Sequence, residues 1–208
     1  MDECEQAARA LALGNLLAAY EAASAAIATH GESRRARFLQ ALALARMGET
    51  KQAQALHDAH LSAGADLDHR ALAARLAKDR AFAAPDAEAP ALLATASEAY
   101  AAILAQNADP FPAVNAASLA AMAGNCARAE ALAHETLRLL GDTPPQDYFA
   151  AATAAEAHLV LGDETEADRW LARALALPGA DLGARSSTTR QFARLTASLG
   201  IGAALLER

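Results

Sequence analysis

Between Phe111 and Leu177 the chain writes one supersecondary unit twice, and this repetition restricts its fold more than any other feature. The first copy reads FPAVNAASLAAMAGNCARAEALAHETLRLLG and the second DTPPQDYFAAATAAEAHLVLGDETEADRWLARALAL. Each is an apolar, alanine-rich helical stretch, a Gly-Asn or Gly-Asp turn, and a second amphipathic helix. Such a pair cannot bury its apolar face alone. It buries it by stacking on the next pair, which builds a helical solenoid.

Equivalent turns punctuate the chain at Gly14-Asn15, Gly48-Glu49, Gly124-Asn125 and Gly162-Asp163. The first two glycines are 34 residues apart (48 − 14) and the last two 38 (162 − 124). The shorter spacing equals the tetratricopeptide period. Five places after each glycine stands an alanine, Ala19, Ala53, Ala129 or Ala167, small where two helices cross closely. Periodicity and stop signals place the first pair at Asp2–Leu13 and Asn15–Thr29, ended by Gly31. The second pair falls at Glu32–Met47 and Thr50–Ala63, with Gly64 as its stop. The third, Leu67–Ala83 and Ala91–Asn107, is interrupted by a proline-bounded loop, Pro85–Pro90, the best candidate for a subdivision. Pro144-Pro145 separates the fourth and fifth pairs. A terminal helix over Ala184–Leu199 follows, with Ser186–Thr189 as caps, and Ile201–Arg208 extends it or frays.

The expected fold is all-α: a right-handed tetratricopeptide-like α-α solenoid of about five helix pairs with a C-terminal capping helix. Composition agrees. Hydrophobic residues make up 54% of the chain but aromatics only 4%, so small aliphatic side chains fill the core. Alanine and leucine are strong helix formers, and no stretch alternates with the period of a strand. The net charge of −7 lacks the basic surface of a nucleic-acid binder. The start, MDECEQAAR, has no basic-then-apolar leader pattern. The uncharged run Pro110–Ala127 holds two prolines, two asparagines and a turn, so it is not read as a membrane span. Cys4 and Cys126 are read as buried small side chains, in keeping with a reducing, cytoplasmic setting.

Four segments occur in a characteristic order: RALAARLAKDRAFA, SEAYAAILAQNADPFPAVNAASLAAMAGN, DYFAAATAAEAHLVLGDETEADRWLARALAL and ARSSTTRQFARLTASLG. Together, from about Leu67 to Gly200, they resemble the tetratricopeptide-like TRAFs-binding domain of apoptosis signal-regulating kinases and its bacterial relatives. The family's usual Tyr-Pro-Gly-Ile-Asn is here Phe111-Pro112-Ala113-Val114-Asn115, and Phe82 alone follows the Lys-Asp pair. The resemblance divides the chain into two ordinary N-terminal pairs, residues 1–66, and a TRAFs-binding-like array with its cap, residues 67–208, as one continuous solenoid. It implies a regulatory helical array rather than an enzyme, with a small nucleotide-like ligand suspected in the bacterial members.

The polar positions matched by that resemblance are Arg75, Lys78, Asp79, Asn115, Glu156, Ser187 and Arg190. Arg75, Lys78 and Asp79 share one helical face, and Arg190 follows a Ser/Thr run read as a helix N-terminus, where an anion is favoured. Two readings stand side by side. In one these residues bind a small anionic ligand; in the other they form a salt-bridge and capping network that fixes packing. His57 and His60 are spaced as a metal pair, with Asp66 and His69 nearby, but no convergent third ligand can be named; both are read as solvated. Arg34, Arg35 and Arg37 are read as a solvated basic face. No nucleophile elbow, phosphate loop, zinc-protease or kinase motif is present, and no cofactor is expected. The first helix of the fourth pair offers Asn115 without accompanying lysines, which argues against clamping a C-terminal carboxylate and for an apolar or mixed partner. The sequence thus points to a non-enzymatic scaffold that holds a partner protein or effector domain. A groove that senses a small anion is the alternative.

Overall fold

The computed structural model describes residues 2–63, 66–141, 147–178 and 182–201. Within these lie eleven helices and no strand: α1 (Glu3–Ala12), α2 (Leu16–His30), α3 (Arg34–Met47), α4 (Thr50–His60), α5 (Leu67–Phe82), α6 (Ala89–Leu104), α7 (Pro110–Met122), α8 (Cys126–Leu140), α9 (Tyr148–Val160), α10 (Glu164–Ala176) and α11 (Leu182–Leu199). This is the expected array of five pairs and a terminal helix. The proposed stop at Gly64, the Pro144-Pro145 break and residues 202–208 lie outside the described residues. The chain forms two compact units, Met1–Arg80 and Ala81–Arg208, and the division falls inside α5.

Four of the turns, α1–α2, α3–α4, α7–α8 and α9–α10, share one backbone construction. In the α7–α8 turn the Gly124 N–H donates to the Ala121 carbonyl and the Asn125 N–H reaches back to Ala120, both at 2.9 Å. That bond pattern needs a left-handed residue, and Gly124 supplies it with φ of 81°. Asn125 then accepts the Arg128 N–H on its side chain, capping α8. Asn15 and Asp163 do the same for α2 and α10. The α3–α4 turn keeps the backbone pattern, with Glu49 N–H donating to Leu44 at 2.9 Å, but Glu49 makes no side-chain cap.

Such a turn fixes the second helix close against the first. The alanines five residues beyond the glycines are accordingly buried, Ala19, Ala53 and Ala167 completely and Ala129 nearly so. In the N-terminal unit the core joins Ala7, Leu11, Phe38, Leu39, Leu44 and Leu61 to Leu72 and Leu76 of α5. Polar ties sit over it. Arg34 donates to the Leu61 and Ala63 carbonyls at 3.3 and 2.6 Å, and Arg46 to the Leu11 carbonyl at 3.0 Å, so two arginines of α3 close the C-terminal ends of α4 and α1. Arg37 grips Glu32, and its guanidinium holds the Glu32 carboxyl below the usual carboxylate range. It also donates to buried Gln40, which donates to Ser24 of α2 at 2.9 Å. The three arginines read as a solvated face therefore do more than solvate: two are built into the packing, and Arg35 lies over the Phe38 ring.

In the C-terminal unit α7 packs against α6, α8, α9 and α11. Its residues from Pro112 to Ala121 are all buried. The terminal helix completes this cover by lying on α7 and α9, with Phe192 and Leu195 in one cluster with Ala120, Ala155, Leu159, Ala167 and Leu171. Those two side chains contribute about 1.5–3 kcal/mol each. Two expectations need correcting here. Pro90 is not in a loop but in the first turn of α6, where a missing N–H costs nothing. Ser186–Thr189 are not caps but lie inside α11, where the Thr189 hydroxyl bonds back to the Arg185 carbonyl at 3.0 Å.

The missing cap at Glu49 makes a direct test of the turn. Glu49→Asn is expected to stabilise the protein by about 1 kcal/mol, measured as a raised urea midpoint. No gain would show that this turn is held by something other than the pattern its counterparts share.

Candidate functional site

The sequence-derived polar residues divide between the two units. Arg75, Lys78 and Asp79 belong to α5 in the N-terminal unit. There Arg75 Nε stands 3.6 Å from Asp79 Oδ2, an ion pair one helical turn apart and longer than a hydrogen bond. Lys78 also has an interaction of its own and is not a free cation.

The other four lie in the C-terminal unit, and one of them is a hub. Glu156, midway along α9, accepts the Ser118 hydroxyl from α7 at 2.6 Å and the Gln191 amide from α11 at 2.8 Å on the same oxygen, Oε1. One carboxylate thereby joins three helices. Ser118 is fully buried, so without Glu156 its hydroxyl would lose this charged acceptor in the core. Asn115, one turn before Ser118, is 4% exposed and donates to the Phe111 carbonyl at 2.9 Å. Ser187 and Arg190 are exposed on α11, and Arg190 donates to Ser186 at 2.9 Å. Arg190 is well inside a helix that begins at Leu182, so the anion-favouring N–H groups of a helix start are not beside it. That correction follows from the early start of α11.

Ser118, Gln191 and Arg194 were missed by sequence reasoning. Their helical spacing carries the signal: Ser118 stands one turn after Asn115, and Gln191 and Arg194 share the face of Ser187. Arg194 stacks over the Phe82 ring at 4.1 Å. Arg185 lies over Tyr148 at 5.8 Å and donates to the Leu175 carbonyl. Among the described residues none of Arg185, Arg190 and Arg194 has a carboxylate within ion-pair distance, and α11 itself contains no acidic residue.

A second missed feature is a pair of exposed rings. Phe111 and Phe149 are 57% and 56% exposed, each at the second position of a first helix, α7 or α9. Each follows its capping aspartate by two places: Asp109 accepts the Phe111 N–H and Asp147 the Ala150 N–H. The Asp-x-Phe repetition, in register with the helix pairs, could have revealed them. Since α7 and α9 pack together, the rings project from adjacent helix starts.

Histidines and cysteines depart from expectation. His57 is buried rather than solvated, on the same helix as buried Ala53; His60 is half-buried, 4.0 Å from Glu32. His69 is also buried, its ring 5.4 Å from Phe38 and its Nδ1 3.1 Å from Arg34. Cys4 is only half-buried, which still pushes its thiol up, and Cys126 is exposed because it opens α8. Among the described residues no group of three His, Cys, Asp or Glu is placed to hold a metal ion. An open cavity of about 530 Å³ lies between α8 and α9, where His134, His158 and Cys126 rim an apolar floor of Leu137, Leu161 and Leu199. None of the sequence-derived site residues lines it. No helix among the described residues is long and apolar enough to cross a membrane.

The hub separates structural from surface residues. Glu156→Ala is expected to cost about 1–3 kcal/mol of stability, and Arg190→Ala to stay within about 0.5 kcal/mol. Urea denaturation of the two variants measures both, and a neutral Glu156→Ala would remove the hub from the packing account.

Comparison with known proteins places this geometry. Among curated proteins none matches the sequence. A tetratricopeptide repeat protein of Thermus thermophilus superposes with a TM-score of 0.69 at 19% identity, over 92% of this chain and 97% of the other. A tetratricopeptide repeat protein of Parabacteroides merdae gives 0.56 at 15% identity, over 99% of this chain and 75% of its own. At such identities the likeness is one of fold. The sequence itself matches the family model described as Tetratricopeptide Repeats-Sensor over residues 12–120, more than half of the chain. That span takes in the Gly14-Asn15 and Gly48-Glu49 turns with Ala19 and Ala53, and the chain belongs to the Tetratricopeptide Repeats-Sensor family.

Proposed function

We propose that this protein is a non-enzymatic, regulatory interaction scaffold that docks a partner protein or an effector domain. The observation that carries this reading is the exposed pair Phe111 and Phe149 on adjacent first-helix starts. Large rings held more than half in water by a rigid repeat are a source of binding energy once a partner covers them. The tetratricopeptide fold, which generally serves protein–protein interaction, supports it, as does the lack of an activated nucleophile or an acid–base pair in the motifs present. The resemblance of residues 67–200 to the TRAFs-binding domain supports a regulatory role, with the chain divided at 66/67, in a cytoplasmic setting.

A second reading takes the protein as a sensor of a small anionic, nucleotide-like ligand, contacted by residues among Arg75, Lys78, Asp79, Asn115, Glu156, Ser187 and Arg190. Its specific support is the arginine-bearing, carboxylate-free α11, and the family's description names a sensor. A nucleotide or phosphorylated metabolite would then raise the melting temperature of the wild-type chain but not of Arg190→Ala.

Phe111→Ser combined with Phe149→Ser tests the leading reading. The double variant is expected to keep its melting temperature within a few degrees, since both rings are exposed, and to lose at least ten-fold in capture of the partner that wild-type protein retains. Equal capture by a folded double variant would overturn the role of these rings.

A further inference from the structure

We infer that the open cavity between α8 and α9 is a binding site for a small amphipathic amine, an ammonium group carried on an apolar body. It is a separate site and does not depend on the scaffold reading. Its volume of about 530 Å³ falls within the range of about 300–1,000 Å³ that small-molecule sites occupy. Most of its wall comes from α8, a second helix, and from the end of α9 with the turn that follows. His158 is two residues beyond Glu156, so the two side chains leave α9 on nearly opposite sides. The cavity is therefore apart from the packing that Glu156 makes with Ser118 and Gln191.

The charge of the wall sets the sign of the ligand. Among the described residues Glu130 and Asp163 line the cavity and no lysine or arginine does. The arginines on either side of Glu130 along α8 are turned to other carboxylates, Arg128 to Glu98 at 3.5 Å and Arg138 to Glu135 at 2.6 Å. Each lining carboxylate stands instead beside an imidazole. Asp163 Oδ2 is 3.9 Å from His158 Nδ1, and Glu130 Oε1 is 3.9 Å from His134 Nε2. Both separations are too long for a hydrogen bond. They are close to the spacing, about 4–4.5 Å, of two acceptors that share one tetrahedral ammonium at hydrogen-bond distance.

The two pairs differ in depth. The His158 side chain is 19% exposed and that of His134 65%, so water and salt screen the inner pair less and the ammonium goes there. Asp163 is also the better anchored carboxylate: its other oxygen accepts the Glu166 N–H at 3.1 Å, as the cap of α10. The floor of Leu137, Leu161 and Leu199 supplies the rest of the recognition. A bare diamine leaves those leucines in water, whereas an amine with an apolar body covers them.

The probe is phenylbutylamine, titrated into the full-length chain and followed by two-dimensional amide NMR. Saturable shifts are expected, centred on the stretches Cys126–Leu137 and His158–Asp163. The amine should bind at least five-fold more tightly than phenylbutanol, which has the same body without the charge. Putrescine, which has the charge without the body, and the anion phenylbutyrate should each bind at least ten-fold more weakly than the amine. Asp163→Asn keeps the cap of α10, since asparagine accepts the same N–H, and removes the inner charge. That variant is expected to bring the amine down to the affinity of the alcohol while leaving the alcohol unchanged. The absence of saturable shifts, shifts centred outside the cavity, or equal affinity for amine and alcohol in the wild-type protein would overturn the inference, and these readouts carry no folding risk. An amine affinity unchanged by Asp163→Asn equally overturns it. Binding of Nα-acetyllysine methylamide as tight as that of the amine assigns the cavity to a lysine of a partner protein, and also overturns it. The Phe111→Ser, Phe149→Ser protein should bind the amine as wild type does, so the two readings fail separately.

Discussion

The constraint on which this structure depends is the close crossing of two helices at an alanine, set by a turn with only one way to close. A left-handed glycine lets the next N–H reach a carbonyl one turn back, as Asn125 does to Ala120. The side chain of that next residue then pins the start of the second helix. With the turn fixed, the residue five places beyond the glycine is buried and small in each case, at Ala19, Ala53, Ala129 and Ala167. The low aromatic content follows from this. Small-residue crossings leave little interior for rings, and the buried ones are few: Phe38, Tyr100, Tyr148 and Phe192 among the described residues.

Close packing of this kind leaves helix ends and hydroxyls in the interior, and the chain answers with long polar side chains. In the N-terminal unit α3 acts as the tie, with Arg34 and Arg46 ending α4 and α1. In the C-terminal unit the tie is anionic, Glu156 receiving Ser118 and Gln191. The two solutions have the same logic: one charged group serves several neutral partners, which makes each bond stronger than a neutral pair and each loss expensive.

What could be read from the sequence was whatever depends on neighbours in the chain. Turn glycines, their following Asn or Asp, and the three-and-four spacing of Leu and Ala are local signals, so the helices fell within a few residues of their expected places. Contacts made across the fold left no such trace. His57 looks like an exposed helix residue until α4 is packed, and Arg34 looks like part of a surface patch until the end of α4 arrives beside it. The run Ser186–Thr189 has the composition of a helix start, yet the helix already begins at Leu182 and the run lies within it. Of the candidate site, the residue types were legible and the grouping was partial. Asn115 and Glu156 were placed on first helices, but the bonds of Glu156 to Ser118 and Gln191 depend on how α7 and α11 come to lie beside α9, which no local pattern encodes.

That arrangement also limits how this protein can be engaged. Since α7 is buried from Pro112 to Ala121, a partner cannot reach the middle of this first helix while α11 is in place. The starts of α7 and α9 differ from that middle: Phe111 and Phe149 already stand in water there, so apolar contacts can form on them without displacing any structure.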